Sequence, residues 1–242
     1  MPILSAESLS LVDIVMLAVI VIGLPLETLL TLKSGRAELA SGKPGVRIKR
    51  YTQTIFLLWG LALPIIILWA TSGRDWAALG FQVQSGTIAI AGWALAGLMA
   101  IFFIYQLALV TRSASVRDDF RNGLAKDEIM SNFMPQTEAE RRVFNLMGVS
   151  AGIAEEIIFR GYLIWALSLF MPVWAAATGA LLVFTLLHLY QGAKQLPTIF
   201  MFAALATLVF VLSGSLWPAI AVHIFIDVIN NQTIWKARMS PT

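Results

Sequence analysis

Seven stretches of this chain read as long, apolar segments that cross a lipid bilayer, and this restricts the fold to a helical bundle. They run over roughly 10–31, 53–72, 87–111, 143–169, 173–193, 197–212 and 216–235, the sixth being the shortest. A spanning helix rises 1.5 Å per residue and needs ~20 predominantly apolar residues to cross a hydrocarbon core of ~30 Å. A backbone in lipid must satisfy its own hydrogen bonds, so these stretches are helices rather than strands. Charged residues make up 13% of the chain, about half of the ~25% of a soluble domain. The expected architecture is an all-α, polytopic membrane bundle of about seven transmembrane helices.

Cytoplasmic loops are enriched in Lys and Arg. The first loop carries Lys33, Arg36, Lys43, Arg47, Lys49 and Arg50, and the third carries Arg112, Arg117, Arg121, Lys126, Arg141 and Arg142. Lys194 lies in the fifth loop, and Lys236 and Arg238 lie in the tail. Seven spans therefore put 15 of the 17 basic residues on one face, with Arg74 opposite and Arg160 inside a span. The N-terminus is expected outside and the C-terminus in the cytoplasm, in an integral, multi-pass protein of the bacterial inner membrane. Residues 1–8 hold no Lys or Arg, and the first apolar stretch is longer than a cleaved signal peptide allows, so it is read as a retained anchor.

Composition excludes several functions. The chain has no cysteine, which removes disulfides, thiolate metal ligands and a Cys nucleophile. A net charge of +3 implies no nucleic-acid surface. The expected partners are membrane lipid and a protein or peptide substrate.

The third loop has its own pattern. Val116, Phe120, Leu124 and Phe133 recur at near-helical spacing among charges, which suits either a helix lying in the interface or a solvated loop. After Pro135, the run Thr137-Glu-Ala-Glu140 has capping-box spacing. A helix from there to about Leu169 would be ~48 Å long.

The chemistry lies in the last four spans. Ionisable groups cost ~2.5–3.5 kcal/mol each on insertion, so each needs a reason. Glu156 and Arg160 are four apart on one helix face and can pair, whereas Glu155 points about 100° away with no partner in its own helix. The fifth span contains His188, and the seventh contains His223 and Asp227, again four apart. The chain has two histidines in all, and both sit here. Gly179, Gly192 and Gly214 fall in the same region, where small residues allow close helix approach. Such groups suit hydrolysis: a shielded carboxylate as general base, one imidazole holding water, another facing a developing oxyanion. The set Glu155, His188, His223 and Asp227 would equally serve as ligands for one divalent metal such as zinc, and spacing does not choose. Ion pairs and packing histidines are the structural alternative. Asp13 and Glu27 in the first span are expected to reach the interfaces near its ends.

Three motifs in order, Glu155-Glu156-x-x-x-Arg160, Phe184-x-x-x-His188 and His223-x-x-x-Asp227, resemble those of the CPBP family, the type II CAAX prenyl endopeptidases and bacteriocin-processing-type membrane proteins. The lead-in Pro135–Arg142 and the run Trp76–Gly80 are similar to the family as well. The resemblance is firm over about 135–235 and looser elsewhere. It implies a helical intramembrane endopeptidase, either glutamate-dependent or a metalloprotease. Residues 1–134 would hold the first three spans and the cytoplasmic loop, 135–235 the protease core, and 236–242 a cytoplasmic tail. Glu155 would activate water with help from His188. His223 and Asp227 would bind the oxyanion side or hold the site, and Glu156 and Arg160 would brace the helix. Some relatives have Asn at the place of Asp227. An ionised Asp cannot donate a hydrogen bond, so here Asp227 would orient His223, carry a proton or bind a metal. A family member acting by binding, as an immunity or signalling partner, is the second functional class, and a transporter the third, though no internal repeat supports it. One geometric difficulty accompanies this reading. Measured from the cytoplasmic basic residues, His188 lies ~9 Å deep and His223 ~20 Å deep, so their convergence requires tilt or a deep-seated fifth helix.

Overall fold

A computed structural model describes residues 9–239. The expectations for residues 1–8 and for the last residues of the tail lie outside them. Among the described residues every regular element is helical. Helix α1 spans Leu11–Ala40 and widens into a π-helical turn at Val19–Gly23. Helix α2 is Val46–Ser72, α3 Thr87–Arg112, α4 Ala114–Lys126 and α5 Glu128–Phe133. Helix α6 starts at Glu138–Glu155, continues through a π-helical segment Glu156–Leu163 and ends with Ile164–Ser168. Helix α7 is Val173–Leu187, α8 Leu196–Ser213 and α9 Leu216–Met239.

Among the described residues, five helices are long and apolar enough to cross a membrane: α1, α2, α3, α7 with its following turn, and α8 with its preceding one. Helix α8, the shortest of the expected spans, is among them. Helices α6 and α9 occupy the other two expected spans but fall short of this measure, because they carry the ionisable and amide residues that lower mean hydropathy. Three of those residues are turned inward: Glu156, Arg160 and Asn231 are buried.

The start of α6 is fixed by local chemistry. Thr137 and Glu140 form the anticipated capping box, the threonine hydroxyl accepting from the Glu140 N–H and the Glu140 carboxylate accepting from the Thr137 N–H. Glu140 also reaches Arg47 on α2 at 3.6 Å. Nearby, the Tyr51 hydroxyl donates to the Phe133 carbonyl, and Arg238 donates to the Pro135 and Ser131 carbonyls at 3.1 and 3.2 Å. The expected tail is thus partly helix, since α9 runs on through Lys236 and Arg238. The loop between α3 and α6 is also helical, as α4 and α5.

Asp13 lies in the first turn of α1, near the end of the span as expected, and it is buried there, accepting from Arg74 at 2.9 and 2.5 Å. Tyr162 on α6 donates to its carbonyl oxygen at 3.0 Å. The guanidinium of Arg74 lies over the rings of Trp69 and Trp165, 5.1 and 4.9 Å from their centroids. The buried carboxylate is satisfied by this bidentate, charged donor together with the N–H and hydroxyl of Ser10, each donating to it at 2.7 Å. The start of α1 is thereby tied to α6.

Candidate active site

Glu155 and Glu156 sit where α6 changes from α- to π-helical geometry, a distortion often found at functional sites. They face α9 because α6 approaches it with almost no spacer. A Cβ on Gly152 would stand 2.5–3.0 Å from the backbone and side chain of Ile224, so only glycine permits this contact. The glycines singled out from sequence act otherwise. Gly179 makes ordinary contact with Leu167, while Gly192 and Gly214 adopt positive φ.

A buried chain of polar contacts crosses from α8 through α6 to α9. Arg160 donates to the Glu156 carboxylate at 2.9 Å, to the Ala203 carbonyl at 3.1 Å and to the Thr207 hydroxyl at 3.4 Å. Its guanidinium also lies 4.5 Å from the centre of the Phe184 ring. The same Glu156 oxygen that holds Arg160 accepts from His223 Nδ1 at 2.7 Å. The Glu156–Arg160 pair is therefore as expected from their spacing, but it does more than brace one helix, since it also fixes a histidine on another. The second Glu156 oxygen is buried with no hydrogen-bond partner among the described residues.

His223 Nε2 then stands 3.8 Å from Glu155 Oε2 and 3.9 Å from Asp227 Oδ2. Both gaps exceed a direct hydrogen bond and suit a bridging water. The close partner of the His223 ring is Glu156, at Nδ1, while Asp227 faces the opposite nitrogen.

His188 directly follows α7 and opens a short 3-10 turn, His188–Gln191. Its Nδ1 donates to the Phe184 carbonyl at 2.8 Å, which leaves Nε2 of the neutral ring as an acceptor. Phe184 is a neighbour of both imidazoles, its ring centroid 4.4 Å from that of His188 and 6.4 Å from that of His223. The difference in depth reckoned along the chain thus closes in space, because α7 ends at His188 and the chain turns there.

The four candidates divide into two sets. Glu155 and His188 line a cavity of about 460 Å³ walled by α1, α2, α6 and the turn after α7. His223 and Asp227 are not part of its lining and stand behind Glu155. Leu24, Leu32, Leu57 and Leu61 give the cavity apolar walls, and Arg36 and Gln53 add polar groups. This volume is in the ordinary range for a ligand site, ~300–1,000 Å³. The contribution of α1 was not read from sequence, where Arg36 served only as a marker of orientation.

Carboxylates and imidazoles are suitable zinc donors. As placed, however, no three His, Asp or Glu side chains among the described residues gather closely enough to hold a metal ion.

The chain is thus an all-helical, multi-pass integral membrane protein with carboxylates and imidazoles clustered beside a cavity. Residues 141–229 match the family model of the type II CAAX prenyl endopeptidase Rce1-like proteins, a segment that contains all six candidate site residues. No curated protein and no solved structure matches the chain.

Proposed function

We propose that this protein is an intramembrane endopeptidase that hydrolyses a peptide bond in a membrane-associated protein or peptide, with Glu155 activating the water. The observation that carries this reading is the position of Glu155: one side lines the cavity, and the other faces His223 Nε2 across 3.8 Å. A water about 2.8 Å from both atoms fits that gap. Glu155 takes its proton as the oxygen attacks the scissile carbonyl carbon. The carbonyl becomes an oxyanion, the C–N bond then breaks, and Glu155 returns the proton to the leaving nitrogen. Neutral His188 accepts a hydrogen bond through Nε2 and helps hold the water. His223 donates Nδ1–H to Glu156, and its imidazolium form also donates from Nε2, as an oxyanion requires.

The test compares new protein N-termini in membranes of cells that make the wild type or Glu155→Gln. Termini present with the wild type and missing with the variant are expected, and identical sets would overturn the endopeptidase reading. The glutamate mechanism predicts a further result: protein stripped of divalent metal by a chelator keeps its cleavage rate. Loss of cleavage that zinc restores would show that the metal alternative operates instead.

The same reading places α6 and α9 in the bilayer with the five apolar helices, giving seven crossings with the C-terminus in the cytoplasm. Charge asymmetry supports it, since 15 of 17 basic residues then share one face. A reporter fused after Thr242 is expected to read cytoplasmic, and an exoplasmic reading would reject the seven-crossing arrangement.

A further inference from the structure

His188 owes its place to a turn that α7 cannot hold by itself. The helix stops at Leu187, the 3-10 turn carries the chain through Gln191, and Gly192 redirects it at φ +104°. Carbonyl groups at such a helix end lack the partners that a continuing helix would provide. Leu189 O accepts from the Gly192 N–H at 3.0 Å, and the remaining support comes from a distant part of the chain. Arg36 on α1 donates through Nη2 to Leu189 O at 2.5 Å and through Nε to Tyr190 O at 3.4 Å. A planar guanidinium that grips two successive carbonyls fixes both the position and the tilt of the peptide between them.

Three further contacts link this grip to the site. Arg36, His188 and Glu155 line the same cavity. The Tyr190 ring lies 5.9 Å from His188 and 5.3 Å from Phe133, centre to centre. His188 Nδ1 is anchored to Phe184 on the helix side, so the ring is held from α7 while its backbone is held from α1. Arg36 itself lies outside the segment that matches the family model.

We propose that Arg36 is a positioning residue: by holding the Leu189 and Tyr190 carbonyls it aims His188 at the cavity, and the N-terminal helix thereby becomes part of the working site. The proposal rests on the role of His188 in the reaction given above. A lysine in its place keeps a charged donor but loses the planar fork, and a methionine keeps apolar length without any donor.

The experiment uses the full chain in lipid nanodiscs with ¹⁵N-labelled histidine. The protein has two histidines, and His188→Ala assigns the two sets of imidazole signals. In Arg36→Met the His188 signals should shift or split while those of His223 stay in place, and Arg36→Lys should recover part of the change. A general loosening of the fold would instead disturb both sets, and unchanged His188 signals would overturn the proposal, as would disturbance of both. On a substrate found by the comparison of N-termini, Arg36→Met should lower kcat by up to about a hundredfold, the scale of loss from ~1 Å misplacement, with KM little changed. In the His188→Ala background it should cause no further loss, because both changes act through one ring. Full additivity would overturn the proposal. If His188→Ala cleaves like the wild type, the role of His188 falls, while the histidine spectra still decide whether Arg36 positions it.

Discussion

Replacing Glu155 with Gln should abolish detectable cleavage and leave the protein as stable as the wild type. The substitution preserves volume and removes only the ability to take a proton. Among the described residues the Glu155 carboxylate makes no close hydrogen bond that the change would break: His223 Nε2 is 3.8 Å away, and Arg160 is engaged by Glu156. A positioned general base contributes about 10²–10⁴-fold to a rate, so cleavage by the variant should drop by about that factor, to background where the assay is less sensitive. Melting temperature and cleavage rate, measured in the same detergent, check the two halves of the expectation. A variant that cleaves normally removes Glu155 from the reaction. One that is inactive because it does not fold assigns it to stability instead.

Much of this molecule was legible in the sequence for simple reasons. Apolar blocks of bilayer length become helices in any apolar surroundings, so all seven expected segments appear as helices, together with the capping box of Thr137 and Glu140. The Glu156–Arg160 pair was legible because i,i+4 spacing acts within one helix. What escaped depends on contacts between segments. The π-helical geometry from Glu156 onward has no local signal, because Glu-Ile-Ile-Phe-Arg reads as ordinary helix. The hydrogen bond from His223 to Glu156 depends on α6 pressing against α9 at Gly152, a glycine that spacing alone does not distinguish from Gly179. The pairing of Asp13 with Arg74 was hidden because the two are separated by the whole of α2. The share of α1 in the cavity was hidden for the same reason: Arg36 meets the turn after His188 only in the folded chain.

Glu156→Gln should behave differently from Glu155→Gln, since it withdraws the counter-charge from a buried arginine. The side chains of Arg160 and Glu156 are 2% and 0% exposed, and breaking such a pair typically costs ~3–5 kcal/mol. Folding yield and melting temperature should therefore fall sharply, as they should for Arg160→Gln, which strands the carboxylate instead. In the double variant Glu156→Gln/Arg160→Gln neither charge is left alone, so its stability loss should be smaller than the sum of the two single losses. The amide oxygen of Gln can still accept from His223 Nδ1, whereas a leucine cannot. Cleavage per folded molecule should therefore survive better in the Gln/Gln protein than in Glu156→Leu/Arg160→Leu, where packing is restored but His223 loses the group that orients it. Melting curves and rates normalised to folded protein separate the two effects. Equal activity in the two double variants would mean that Glu156 serves stability alone, and a fully stable but inactive Glu156→Gln would place the carboxylate in the chemistry itself.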